Sequence, residues 1–157
     1  MKNRISRRSF LAAAAVSAAA LAVSGCDAKT SKKAVTDITV WNYYNGDQLE
    51  SFNRLVSTFN ETIGKAKGIR VSGSSQGTVN DLEANVMDAA EGKVGSAEMP
   101  TIFAAYADTA YKLDQMGMVV DLKDYLTEDE KAAFVPGYIT EGDFDGSGSI
   151  KIFPVAK

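Results

Sequence analysis

The chain holds one cysteine, Cys26, and no histidine among its 157 residues. That composition removes His-based acid/base chemistry and His/Cys metal chemistry. Imidazole is the group that most readily exchanges a proton near neutral pH, and zinc sites are built largely from Cys and His. A lone thiol also has no disulfide partner within the chain. Carboxylates, amides, hydroxyls and aromatic rings remain, and these grip a ligand more readily than they transform one. Cleaving a glycosidic bond would need two carboxylates facing one pocket, and no such pair stands out. Neither an enzyme nor a cofactor is expected. Asp143 to Ile150 imitates the first eight positions of an EF-hand loop, with acids at 143 and 145. The twelfth position, which should be a bidentate Glu, is Pro154. No helix-loop-helix pattern flanks the stretch, so a Gly-rich hairpin turn is expected there and no metal site.

Ligand-gripping groups gather in three loops, and the hydrophobic pattern places each loop after a strand. Ile38 to Trp41 is β-branched and aromatic and runs into the polar segment 42–47. Leu49, Phe52, Leu55, Val56, Phe59 and Ile63 recur at helical spacing, with Gly64 and Gly68 bracketing the helix end. Ile69 to Ser72 reads as a second strand, broken by the Gly/Ser-rich segment 73–77. Val79, Leu82, Val86 and Ala90 form the inward face of a second helix stopped by Gly92. Pro100 precedes a third strand over 101–105, and Asp108 opens a helix through Ala110 and Leu113 to Gly117. Further on, Thr127 and Glu130 fit a capping box for a brief helix to Phe134, stopped at Pro136-Gly137. Ile150 to Phe153 reads as a last strand.

Strands alternating with helices predict an α/β fold with parallel pairing and right-handed crossovers. In such open sheets ligands collect beyond the carboxyl ends of the strands. The loops at those ends are 42–47, 73–78 and 105–108, and from them Tyr44, Asn45, Gln76 and Asp108 are the expected ligand contacts. Sugars present hydroxyls to hydrogen-bond and C–H faces that stack on rings, and this set offers both kinds of group. Each residue also has a plainer use. Tyr43 and Tyr44 point to opposite sides, and either ring can pack on the surface of the lobe. Gln76 can be a solvated turn residue, and Asp108 can be the N-cap of the third helix. Trp41 reads as core.

The N-terminus fixes the expected compartment. Lys2, Arg4, Arg7 and Arg8 precede an apolar run of 14 residues from Phe10 to Val23. At 1.5 Å per residue that run extends about 21 Å as a helix, short of a bilayer core of ~30 Å. A charged start, a short apolar centre and a small-residue exit describe an export signal. Ser6-Arg7-Arg8-Ser9-Phe10-Leu11 resembles the twin-arginine pattern, with the general export route open beside it. Val23-Ser24-Gly25-Cys26 resembles the lipobox of bacterial lipoproteins, which implies lipidation of the Cys26 thiol. The expected organisation is a signal over 1–25, a lipidated Cys and solvated tether over 26–36, and a domain over 37–157. The signal holds 4 of the 17 cations and none of the 20 acids, which leaves 13 positive against 20 negative, a net of about −7. Such a balance argues against nucleic acid and against electrostatic adhesion to anionic lipid.

The ordered set "ITVWNYYNG", "GIRVSGSSQG", "EGKVGSAEMPTIFAAYAD", "LDQMGMVVDL" and the closing "IKIFPVAK" resembles the family 1 extracellular solute-binding proteins. Thr101 stands where that family commonly has an acid, while Tyr106 and Asp108 match its aromatic-and-acid loop. The resemblance covers roughly Asp37 to the C-terminus. It implies a periplasmic-binding-protein-like fold of type II, with two α/β lobes closing on a ligand about a hinge. Members of the family are more than twice as long, so the resemblance implies part of the N-terminal lobe only. It also implies a lipid-anchored receptor on the outer or periplasmic face of the cell membrane. Such a receptor captures a mono- or oligosaccharide and delivers it to ABC permease subunits. Two other readings stay open: the same fold holding a sugar-phosphate, peptide or other solute, and a structural surface lipoprotein with no ligand.

Overall fold

Three strands build the sheet, and the pattern of β-branched residues explains why. The computed structural model describes residues 34–155. The export signal, Cys26 and most of the expected tether lie outside the described residues. Strand β1 spans Thr36–Asn42 and β2 spans Ile69–Ser75. They pair in parallel from Thr36 opposite Ile69 to Asn42 opposite Ser75. Thr36, the last residue assigned to the tether, is thus already in the sheet, its N–H donating to the Gly68 carbonyl. Strand β3 is Ile102–Phe103 alone, parallel to β1 on its other side, in the order β2-β1-β3. The parallel arrangement expected from the sequence is present, but the third strand is shorter than 101–105. At Thr39 and Thr101 the side-chain hydroxyls take over from the ladder. Thr101 N–H donates to Thr39 Oγ1 at 2.9 Å and Thr39 N–H to Thr101 Oγ1 at 3.3 Å.

Helix α1, Gly46–Phe59, does not stop at Gly64. It passes through a π-helical turn, Asn60–Gly64, and a final turn, Lys65–Lys67, before Gly68 adopts the left-handed conformation that closes helices. Gly64 is internal because a Cβ there would lie 2.6 Å from the Ile69 carbonyl oxygen. Gly73 likewise sits inside β2 rather than breaking it. A Cβ at that position would lie 2.5 Å from the Phe52 ring, so glycine is what allows α1 to lie close over the strand.

Helix α2, Val79–Ala90, begins at a capping box in which the Thr78 hydroxyl and the Asp81 carboxylate satisfy each other's backbone N–H. Helix α3, Ala107–Gln115, is capped at Tyr106, which places Asp108 in its first turn and not at the N-cap. On this side of the sheet Trp41, Leu82, Val86 and Leu113 form the core cluster, with Tyr43, Phe103 and Val119 packed against it. Leu82 and Val86 are 1% exposed and Leu113 is fully buried.

The C-terminal third is a string of short elements: a 3₁₀ turn Lys123–Tyr125, α4 over Glu128–Ala132 and α5 over Pro136–Ile139. The Thr127/Glu130 capping box is present. Pro136 starts a helix instead of ending one, because its missing N–H costs nothing at a first helical position. The expected strand at 150–153 is absent. The N–H of Ile150 donates to Asp121 Oδ1 at 3.0 Å and its carbonyl accepts from Leu122 N–H at 2.9 Å, which commits that backbone to the 121–122 segment and not to a sheet. Lys151 pairs with Asp114 of α3 at 3.3 Å, tying the segment to the body.

Candidate functional site

The parallel register brings the carboxyl ends of all three strands to one edge of the sheet, and the loops leaving that edge are bonded to one another. Gln76 N–H donates to the Asn42 carbonyl at 2.8 Å, which extends the β1–β2 ladder past the strands. Ser75 Oγ donates to the Tyr44 carbonyl at 2.9 Å. Ala104 N–H donates to the Trp41 carbonyl at 2.9 Å, anchoring the third loop to the same strand.

Asn45 is the N-cap residue of α1, yet its side chain makes no cap bond. Its amide nitrogen instead donates to the carbonyls of Tyr43 at 2.9 Å and Gly77 at 3.1 Å, stitching the first loop to the second. Gln76 is engaged in a similar way: its nitrogen donates to Ser74 Oγ and its oxygen accepts from Asn85 of α2. Both amides therefore hold the loops in shape before they offer anything to a ligand.

Tyr44 and Asp108 are placed differently. The Tyr44 ring lies 5.5 Å from Tyr43 and 5.5 Å from Phe52, tilted against each, so it leans towards α1 while Tyr43 packs on the core side. Among the described residues, no hydrogen bond or ion pair engages the exposed Asp108 carboxylate at the start of α3. Asn45 and Gln76 are thus brought together across the first two loops, Tyr44 stands on the α1 flank, and Asp108 on the α3 flank. Among the described residues no hydrogen bond or ion pair joins Asp108 to the other three.

A depression of about 650 Å³ opens between α1 and the sheet, within the range of small-molecule sites. Its floor is apolar, with Val40, Phe52, Leu55 and Ile102, and Asp47, Gln48 and Ser51 stand on one rim. Of the four expected contacts it is lined by Tyr44 and not by Asn45, Gln76 or Asp108. Asp47 lies in the expected 42–47 loop but is not among the expected contacts, and Gln48 and Ser51 fall outside the expected loops. The signal that marks them is that they are the polar positions of the first two turns after a strand-ending loop. Asn42, 1% exposed, also borders the depression; its oxygen accepts from Tyr44 N–H, while its Nδ2 has no partner among the described residues. The 143–149 loop closes as a turn but not as the expected hairpin, because no strand flanks it among the described residues. Asp143 accepts from the backbone of Gly148 and Ser149 and Asp145 from Ser147, while Lys123 Nζ caps the Ser147 carbonyl. Among the described residues no group of three or more His, Cys, Asp or Glu side chains is gathered as a metal ion requires.

No family model matches the sequence, and no curated protein sequence does. Solved structures do resemble the fold. The chain is similar to the cyclic α-maltosyl-1,6-maltose binding protein from Arthrobacter globiformis, with a TM-score of 0.59 and 20% identity over 71% of this chain. It is similar to CpMnBP1, solved with mannotriose bound, at 0.54 and 15% identity over 73% of this chain. A family 1 extracellular solute-binding protein from Bifidobacterium longum subsp. infantis gives 0.54 and 16% identity over 75%. The matched part spans 27% of each of those three chains. The fold is therefore periplasmic-binding-protein-like, and the described residues form part of one lobe of it.

Proposed function

We propose that this chain belongs to a receptor that captures a carbohydrate outside the membrane and hands it, chemically unchanged, to the permease subunits of an ABC importer. One observation supports the reading above the others. Three parallel strands present bonded loops at a common edge, in a fold whose compared structures include an oligosaccharide-binding protein and one with mannotriose bound. In this reading the Tyr44 ring stacks on a C–H face of the sugar. The Asp108 carboxylate accepts paired hydroxyls, and Asn45 and Gln76 hold the loops that set the spacing. The net charge of about −7 beyond the signal favours a neutral ligand over a sugar-phosphate. Lipid on Cys26 would keep the receptor at the outer or periplasmic face of the cell membrane. More than one acyl chain anchors stably, at ~0.8 kcal/mol per buried methylene.

The test is a thermal-shift screen of the full chain against neutral sugars, sugar-phosphates and peptides. Neutral mono- or oligosaccharides are expected to raise the melting temperature. A rise with phosphates or peptides only would overturn the carbohydrate assignment, and no rise with any solute would leave a surface lipoprotein. Anchoring is read separately: fatty-acid labelling of the expressed protein should vanish in Cys26→Ala.

A further inference from the structure

β2 is an edge strand, and the π-helical turn that follows α1 lies along its free side. In a parallel strand the N–H and C=O of one residue point to the same side. Gln76 N–H and the Gly68 carbonyl both bond to β1, so the even-numbered residues of β2 face β1 and Ile69, Val71, Gly73 and Ser75 face outward. Such a row of open groups is a template for a further strand. Proteins usually blunt it with charged side chains, Pro or a bulge; β2, Ile69–Ser75, holds a single charged residue, Arg70, whose guanidinium is paired with Asp37 of β1, and no Pro. At Val71 the row is already occupied. Asn60 Nδ2 donates to the Val71 carbonyl at 2.8 Å, and Val71 N–H donates to Asn60 Oδ1 at 2.8 Å. A primary amide copies the peptide group, so this one side chain takes the place that a neighbouring strand's backbone would fill. The π-turn brings it there, and buried Gly64 presses the same turn against the Ile69 carbonyl.

We propose that Asn60 is an edge guard: its amide closes the outer side of β2 and keeps this sheet from adding the β2 strand of a second copy. With Val71 occupied and the Ile69 carbonyl already under the turn, Gly73 and Ser75 remain of the four outward positions, too few for a stable added strand.

The test compares the full chain with Asn60→Ala, which loses both bonds, and Asn60→Gln, which keeps the amide. Sedimentation gives the mass across a hundred-fold concentration range, and hydrogen exchange follows the Val71 amide. Asn60→Ala should exchange Val71 at least ten-fold faster when dilute. It should associate at a concentration at least ten-fold below wild type and regain Val71 protection as it does so, while Asn60→Gln stays nearer wild type. If Asn60→Ala does not fold, Asn60→Ser, whose hydroxyl ends one bond short of both amide atoms, should show the same changes. A folded variant with wild-type mass and unchanged exchange would overturn the proposal. Association without renewed protection at Val71 would place the contact elsewhere and overturn it equally.

Discussion

The two faces of the sheet are finished to different degrees. On the α2/α3 side, Trp41, Leu82, Val86 and Leu113 are all buried and meet in one cluster. On the α1 side no residue of α1 is buried, and Leu55 and Ile102 are 69% and 52% exposed. Yet α1 is the longer helix and carries the clearer apolar stripe. Periodicity thus states which face of a helix seeks burial but not whether the chain at hand supplies enough cover. The solved structures of this fold are nearly four times the length matched here, so a half-covered face agrees with one part of a lobe. The closed face should carry most of the stability, and the open face should tolerate change.

Leu113→Ala tests this contrast most strongly. It removes a fully buried side chain from the cluster and should cost about 2–5 kcal/mol in urea denaturation. Next comes Gly64→Ala, where the new methyl meets the Ile69 carbonyl oxygen at 2.6 Å and backbone must move, for about 1–3 kcal/mol. If that variant is as stable as wild type, the join between α1 and β2 is looser than the structure shows. Asn45→Ala removes two exposed bonds between the first loops and should cost about 1 kcal/mol, together with weaker sugar binding. Leu55→Ala, on the open face, should shift stability by less than about 0.5 kcal/mol. A loss near that of Leu113→Ala would show that the α1 face is closed in solution.

Acid provides a further probe, aimed at the C-terminal segment. The Ile150 and Lys123 N–H groups hold the Asp121 carboxyl below its ordinary value of 3.8. A group depressed on folding stabilises above its unfolded value, and the benefit is lost as pH falls through the folded one. The contacts from 121 to 150 should therefore hold at neutral pH and loosen progressively below about pH 4. Amide exchange at Ile150, followed from pH 7 to pH 3, should accelerate beyond its intrinsic pH dependence, and Asp121→Asn should flatten that change. Equal behaviour in both proteins would mean that Asp121 is not what holds the segment.

Much of this fold was legible in the residues because local signals agreed with tertiary needs. The β1 and β2 patterns, the α2 stripe ending at Gly92, and the Thr127/Glu130 box each state their structure directly. Most of the misreadings trace to close contacts between elements, whereas Pro136 turns on a local choice between ending one helix and starting the next. Gly64 and Gly73 look like breakers, but each exists because another segment comes close. Ile150 to Phe153 has strand residues, but Asp121 and Leu122 claim the backbone that would pair. The site was legible only as a set of loops. Topology gave the edge where they meet, whereas the commitment of the Asn45 and Gln76 amides to Gly77 and Asn85 depends on side-chain geometry that spacing does not encode.

The most direct test of the shared edge is an amide chemical-shift map of the full chain titrated with a neutral oligosaccharide. Shifts confined to 42–47, 75–78 and 104–108 are expected, weakened by Tyr44→Ala and Asp108→Asn. Shifts centred on the opposite strand ends, near Thr36, Gly68 and Pro100, would contradict the account.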